Sequence, residues 1–219
     1  MHSKHFDATK SLISVVDNTS LGNLTEEKRS GLYLEWISRQ AELFHIEKSP
    51  IVIPDKIFPN EITSFAYGKN KQAIQEKINK YYDISTDGQK YLRNSTPIEI
   101  IDAEDLLHSL VFIRGNVVWI EFGFNIGCEF GGKHPAIILK DIGEVLIVAP
   151  LTSGTLTQKK PSEVIIDMVF NLPKRDRYTN VTRITPISKY RVDLNSPMGS
   201  IRSAKMREIF SAIKYDWNL

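Results

Sequence analysis

Apolar positions along this chain follow two different periods, and the change comes near residue 110. In the first half they recur at helical spacing. Thr25 is a suitable N-cap, with Glu26 and Glu27 placed to suit the positive end of a helix dipole. From Glu26 to about Ile46, Tyr33, Ile37, Ala41 and Phe44 fall on one face with Leu32 and Trp36 beside them, which predicts an amphipathic helix. Residues 4–18, with Phe6, Leu12, Ile13, Val15 and Val16, predict a shorter one. Pro50, Pro54 and Pro59 then impose an extended connection. A second polar helix is expected from Asn70 to Tyr82, burying Ala73, Ile74, Ile78, Tyr81 and Tyr82. Between residues 85 and 110 the pattern fits helix and strand equally, with a break at Pro97.

Beyond residue 110 the runs become short, β-branched and aromatic. Val117–Phe122, Ala136–Leu139, Val145–Val148 and Glu163–Asp167 each read as a strand. A loop with Gly127, Gly131 and Gly132 separates the first two, and Asp141-Ile142-Gly143 turns the second into the third. Met206, Ile209, Phe210 and Ile213 return to helical spacing after Ser203, a candidate N-cap. The fold class expected is α+β: a small, mostly antiparallel SH3-like or CcdB-like β-barrel with a C-terminal helix, preceded by a mainly helical N-terminal domain. Residues 1–105 are expected to form the helical accessory domain, and residues 106–219 the barrel domain.

Composition narrows the class without naming a function. A hydrophobic fraction of 42% and a charged fraction of 25% are ordinary for a soluble globular protein. The sequence predicts no transmembrane helix, its start lacks the apolar core of a signal peptide, and a cytoplasmic location is expected. A single cysteine, Cys128, allows no intrachain disulfide framework and no zinc cluster, so neither metal nor cofactor is expected. Lys and Arg number 13 against 16 Asp and Glu in residues 1–110, and 15 against 10 in residues 111–219. The front half is therefore −3 and the back half +5. That asymmetry suits a polyanion-binding domain joined to something else, although domains without nucleic-acid partners show it too.

The run Gly127-Cys128-Glu129-Phe130-Gly131-Gly132-Lys133-His134-Pro135-Ala136 is followed, one strand later, by Pro150-Leu151-Thr152-Ser153. Together they resemble the PemK/MazF family of toxins from toxin–antitoxin systems, where G-S-E-Q-G-G-x-R-P-A precedes an apolar strand and P-x-T-S ends the next. The stretch from Tyr178 to Val192 resembles the family's Q-I-R-T-I-[SD]-K-x-R-[LI] element, best at Ile187-Ser188-Lys189 and Arg191-Val192. The resemblance covers about the last half of the chain.

The resemblance implies metal-independent cleavage of single-stranded RNA, with the neighbouring 2′-hydroxyl as nucleophile. The family's threonine corresponds to Thr152, and its arginine position holds His134. Arginine is always charged and binds phosphate by two hydrogen bonds, whereas histidine is a competent acid or base near neutrality. His134 is thus either an acid–base group, with Lys133 supplying charge, or a surface histidine in an inherited loop. Glu129 matches the family glutamate and reads as a loop-ordering or proton-handling group. Phe130 either stacks on a base or packs in the loop. Cys128 reads as a small loop residue rather than a thiol nucleophile, since no third orienting group accompanies it. Catalytic candidates are therefore His134, Thr152 and Glu129. RNA-binding candidates are Lys133, Phe130, Ser153, Arg183, Thr185, Lys189 and Arg191.

In the first half, Asp102, Glu104, Asp105 and His108 imitate a metal site, but their spacing suits a solvated acidic helix face better. His45 reads as a core-edge residue. By the resemblance, the partners are single-stranded RNA, a cognate antitoxin protein and a second copy in a homodimer, with no membrane. A second reading keeps the barrel but removes the chemistry: a binding protein that regulates or poisons a partner, favoured by the missing arginine.

Overall fold

The structure is a computed structural model, and it describes residues 24–46, 56–57, 71–84, 90–93, 97–124 and 131–218. The chain forms two compact units, Met1–Lys48 and Ser49–Leu219. The first contains helix α1, Leu24–Ile46, two residues longer at its start than expected. Its apolar face is less complete than the spacing suggests: Leu32, Tyr33, Leu34 and Ala41 are exposed, Trp36 and Ile37 half-buried, and Leu43 buried. Residues 32–34 are consecutive and point in directions about 100° apart, so one stripe cannot hold all three. The helix expected over residues 4–18 and the side chain of His45 lie outside the described residues. Among those residues no helix is long and apolar enough to cross a membrane.

In the second unit α2 runs from Lys71 to Tyr81. Ile74, Ile78 and Tyr81 are buried as expected, whereas Ala73 is exposed and Tyr82, also buried, opens a strand instead of ending the helix. The segment read as helical also holds a small antiparallel sheet, β1 (Lys56–Ile57), β3 (Lys90–Leu92) and β2 (Tyr82–Ile84), in that spatial order. Strands of two or three residues are too short to leave a periodicity. Helix α3, Ile100–Leu106, continues as a π-helical turn over Leu107–Val111, so the ambiguous 85–110 stretch holds both a strand, β3, and a helix.

The larger sheet has eight strands. They are β4 (Asn116–Gly123), β5 (Gly132–Ile142), β6 (Val145–Ser153), β7 (Glu163–Ile166), β8 (Arg177–Asn180), β9 (Thr185–Ser188), β10 (Val192–Asp193) and β11 (Gly199–Ser200). The spatial order is β10-β4-β5-β6-β8-β7, with β11 also pairing β4 and β9 also pairing β6, and each pairing is antiparallel. The sheet curls, as right-handed strand twist requires. Helix α4, Ser203–Asp216, follows. Its N-cap is Arg202 rather than Ser203, with no side-chain cap bond.

Both faces of the central strands β4 to β6 are dry, which explains the nearly unbroken apolar runs of β5 and β6. On one face, Val118, Ile120, Ala136, Ile138, Leu146 and Val148 pack with Ile74, Ile78 and Tyr81 of α2 and with Ala103, Leu106 and Leu110 of α3 and its π turn. Residues on both sides of position 105 therefore share one core. On the other face, Val117, Ile137, Ala149, Leu151, Val164 and Ile166 pack with Met206, Ile209 and Ala212 of α4. Phe210, expected in that core from its spacing, points outward beneath the Arg114 guanidinium, 5.8 Å from the ring centroid.

Polar groups fix the α2–α3 layer in place. The Tyr81 hydroxyl donates to Asp102 at 2.6 Å, and Lys77 and Lys80 lie 2.9 and 3.3 Å from the same carboxylate. The Tyr81 hydrogen bond, then that from Lys77, holds the Asp102 pKa down at about 2. Buried Asn116 donates to the carbonyls of Leu110 and Val111, both at 3.0 Å, satisfying the end of the π turn. Gly199 lies so close to Phe170 that a Cβ would sit 2.4 Å from its carbonyl oxygen.

Candidate active site

Strands β5 and β6 meet at Ala136↔Pro150, the last bonded pair toward the rim where β5 begins and β6 ends. His134 lies two residues before Ala136 and Thr152 two residues after Pro150, both beyond that last pair. Side chains alternate along a strand, so both stand on the face that holds Ala136, Ile138 and Val148. Each is half-buried. His134 also pairs with Ile120 of β4. The structure thus places two of the three catalytic candidates on one sheet face, at adjoining strand ends. The third, Glu129, lies outside the described residues, as do Phe130 and Cys128.

The electrostatics of His134 follow from its position. Burial pushes its pKa below the ordinary imidazole value, and a hydrogen bond to the backbone of Gly131 opposes that shift without cancelling it. The ring is therefore biased toward neutrality. A ring N–H given to a backbone carbonyl leaves the second nitrogen as the acceptor. Gly132, at φ +78°, starts β5 in a conformation side chains rarely adopt, and a Cβ there would approach His134 Nε2 to 3.7 Å.

Lys133 faces the opposite side and forms an ion pair with Asp193 of β10, across β4. Burial alone would raise the Asp193 pKa. The hydrogen bonds from Lys133, from Ser196 Oγ at 2.6 Å and from the Asn195 amide at 2.9 Å outweigh it and bring the value down to about 2. Lys133 is thus held by a carboxylate next to the site.

The remaining candidates divide between the two ends of the sheet. Ser153 is exposed at the end of β6, beside Thr152. Arg191 lies at the same rim, where its guanidinium donates to the Phe122 carbonyl at 3.2 Å. Arg183 is exposed on a 3-10 turn, and Thr185 opens β9 opposite Val148. Lys189 is at the far end, where its ammonium lies 2.7 Å from Asp141 and 4.9 Å from the Phe112 ring centroid. Seven residues of β6 separate Thr152 from Val145, whose partner Ser188 precedes Lys189, so Lys189 is roughly 20 Å from Thr152. The structure does not bring Lys189 to the rim. His108, 2.8 Å from Asp141, belongs to the same far cluster.

The imitation metal site also disperses, because Asp102 and Asp105 engage Lys77 while His108 engages Asp141. Among the described residues no group of three His, Cys, Asp or Glu is placed to hold a metal ion. Two grooves, of 310 and 480 Å³, flank α4 and share Arg207, away from the rim.

Two residues at the rim carried no clear signal in the sequence. Arg177 pairs with Ser153, yet it is buried, donates to the Pro173 carbonyl at 3.0 Å and has an unpartnered Nε. Burial, then the charge of Arg175, lowers its pKa. In the basic run Lys174-Arg175-Asp176-Arg177 nothing marks the last arginine as buried. Tyr178, the register partner of Thr152, sits beside it on the same face.

Residues 113–215 match the model of the PemK-like, MazF-like toxin of type II toxin–antitoxin systems. No curated protein matches the chain. Similar solved structures include MazF from Deinococcus radiodurans, at 17% identity over 48% of this chain and 96% of that one, TM-score 0.40. An endoribonuclease from a mycobacterial species is similar at 18% identity over 48% and 90% of the two chains, TM-score 0.37. A MazE–MazF complex from Deinococcus radiodurans is similar at 17% identity over 48% and 94%, TM-score 0.37. Residues 113–215, just under half of this chain, are thus similar to the PemK-like, MazF-like toxin family.

Proposed function

We propose that this protein is the toxin of a toxin–antitoxin pair and acts as a metal-independent endoribonuclease on single-stranded RNA. The observation that carries the reading is the placement of His134 and Thr152 on one face at the adjoining ends of β5 and β6, with His134 biased toward its neutral form. A neutral imidazole is a proton acceptor rather than a charge clamp, so the His134 position works as a general base. It takes the proton of the 2′-hydroxyl, whose oxygen attacks phosphorus. The Thr152 hydroxyl donates to a phosphate oxygen as negative charge builds there. The bond to the 5′-oxygen breaks, and that oxygen is protonated by Glu129 or by water. The products are a 2′,3′-cyclic phosphate and a 5′-hydroxyl.

Residues 106–219 carry the chemistry in this reading, and residues 1–105 are accessory. Ser153, Arg183, Thr185 and Arg191 contact RNA, as do Phe130 and, once released from Asp193, Lys133. A cognate antitoxin protein holds the enzyme in check, and the active form is a homodimer. A second copy must dock away from the α2–α3 side of the sheet, which residues of the same chain fill.

A second reading is a non-cleaving binding protein, favoured by His134 at the arginine position and by the capture of Lys133 by Asp193. Incubation of purified, antitoxin-free protein with single-stranded RNA of varied sequence separates the two. Cleavage to cyclic-phosphate ends supports the nuclease, and intact RNA after prolonged incubation leaves the binding reading.

A further inference from the structure

The row that contains Thr152 does not stop at β6. Thr152 pairs with Tyr178 of β8, and Tyr178 pairs with Ile165 of β7. Register partners on antiparallel strands share a face. Burial in these strands alternates accordingly: Val164, Ile166, Arg177 and Thr179 are buried, Tyr178 is half-buried, and Ile165 is 44% exposed. The open face of a half-covered sheet normally carries polar side chains. Here it carries an aromatic ring and a large aliphatic group, next to the hydroxyl assigned to the scissile phosphate. The Tyr178 hydroxyl makes no hydrogen bond among the described residues.

We infer that Tyr178 and Ile165 form a shelf on which a nucleobase of single-stranded RNA stacks, flanking the phosphate held at Thr152. The inference rests on the nuclease reading for the position of that phosphate. Neighbouring strands are about 4.8 Å apart, so Tyr178 lies one strand spacing from Thr152 and Ile165 two. That spans the reach from a phosphate to the base of its own nucleotide, and the two side chains together underlie a whole ring system. Bases stack on aromatic faces with little regard to sequence, so the shelf contributes affinity and positioning rather than base identity. Tyr178 is thereby a substrate-contacting residue that the family motifs did not single out.

The test uses the full chain, freed of any antitoxin, as wild type, Tyr178→Ala, Tyr178→Phe and Ile165→Ala. Thermal melts check that each folds. Binding is measured to a single-stranded oligonucleotide with 2′-O-methyl riboses, which cannot be cleaved, and cleavage is measured in parallel on the unmodified RNA. Tyr178→Ala should weaken oligonucleotide binding roughly 5- to 100-fold, the range for losing one base–aromatic stack. Tyr178→Phe should stay within about twofold, and Ile165→Ala should fall between them. In cleavage the loss should appear in KM, with kcat little changed.

Equal binding by wild type and Tyr178→Ala overturns the shelf, as does failure of the wild type to bind the oligonucleotide. Equal damage from Tyr178→Phe and Tyr178→Ala overturns stacking in favour of a role for the hydroxyl. If binding depends on the Tyr178 ring while no RNA is cut, the shelf stands and the nuclease reading fails.

Discussion

His134 and Thr152 stand on the same sheet face at the neighbouring ends of β5 and β6, two residues past the last bonded pair, Ala136 and Pro150. The hydrogen-bonded ladder between these strands ends there, and β6 continues along β8 instead. The two side chains therefore flank a place where the strands part.

The pH dependence of cleavage tests the role of His134. Its folded pKa is depressed by burial, so a base at this position is active above that value. Cleavage at limiting RNA should rise with pH through a midpoint below the ordinary imidazole value of about 6.5 and be level by neutrality. His134→Ala should lose on the order of a hundredfold or more and lose this limb. His134→Arg should be as impaired as His134→Ala if a proton carrier is needed. Full activity in the arginine variant would show that charge alone suffices.

Thr152→Ala should slow cleavage roughly a hundredfold, the scale for removing one donor to a developing oxyanion. Thr152→Ser should recover most of it. Affinity for an uncleavable oligonucleotide should change little in either variant, and EDTA should leave the wild-type rate unaltered. A rate that collapses on chelation would contradict the metal-independent mechanism.

Acid should loosen the rim through Asp193. Its folded pKa is about 2, below the unfolded carboxylate value, so its ion pair stabilises the fold above about pH 4 and is lost as pH falls toward 2. With the side chain 19% exposed, the contribution after allowance for screening is about 1–2 kcal/mol. Asp193→Asn should remove that much from the denaturation free energy at pH 7 and much less at pH 2. An unchanged difference across this range would show that the ion pair is not its source.

The α2–α3 layer depends on Tyr81, which is fully buried and gives its hydroxyl to Asp102. Tyr81→Phe removes a hydrogen bond to a charged acceptor and should cost about 1.5–3 kcal/mol in chemical denaturation. It should also raise the Asp102 pKa, because that hydrogen bond is the largest influence holding it down. NMR titration of the carboxylate would read this directly, and an unmoved value would break the assignment.

Much of the fold is legible in the chain because it rests on local rules. Helix α2, α4 and the strands β4 to β7 follow from apolar spacing, Gly-rich turns and β-branched runs, each written within a dozen residues. The motif run through His134 and the Pro150-Leu151-Thr152-Ser153 end of β6 was equally open to reading. What neighbours these residues was not, because register between distant strands is set by core packing. Tyr178 reaches Thr152 only through the β6–β8 pairing, and Lys189 leaves the rim only because β9 runs back along β6 toward Asp141. Charges were the least legible. Lys133 and Arg177 look alike in sequence, yet one is paired with Asp193 and the other is buried beneath the Pro173 carbonyl. The composition of a basic loop records which cations are present, whereas their partners and burial are decided by segments tens of residues away. The sequence by itself determined the longer elements and the three catalytic candidates, His134, Thr152 and Glu129. The tertiary structure alone decided which face the first two share, what lies beside them and which charge is already spent, because those depend on strand register and on desolvation.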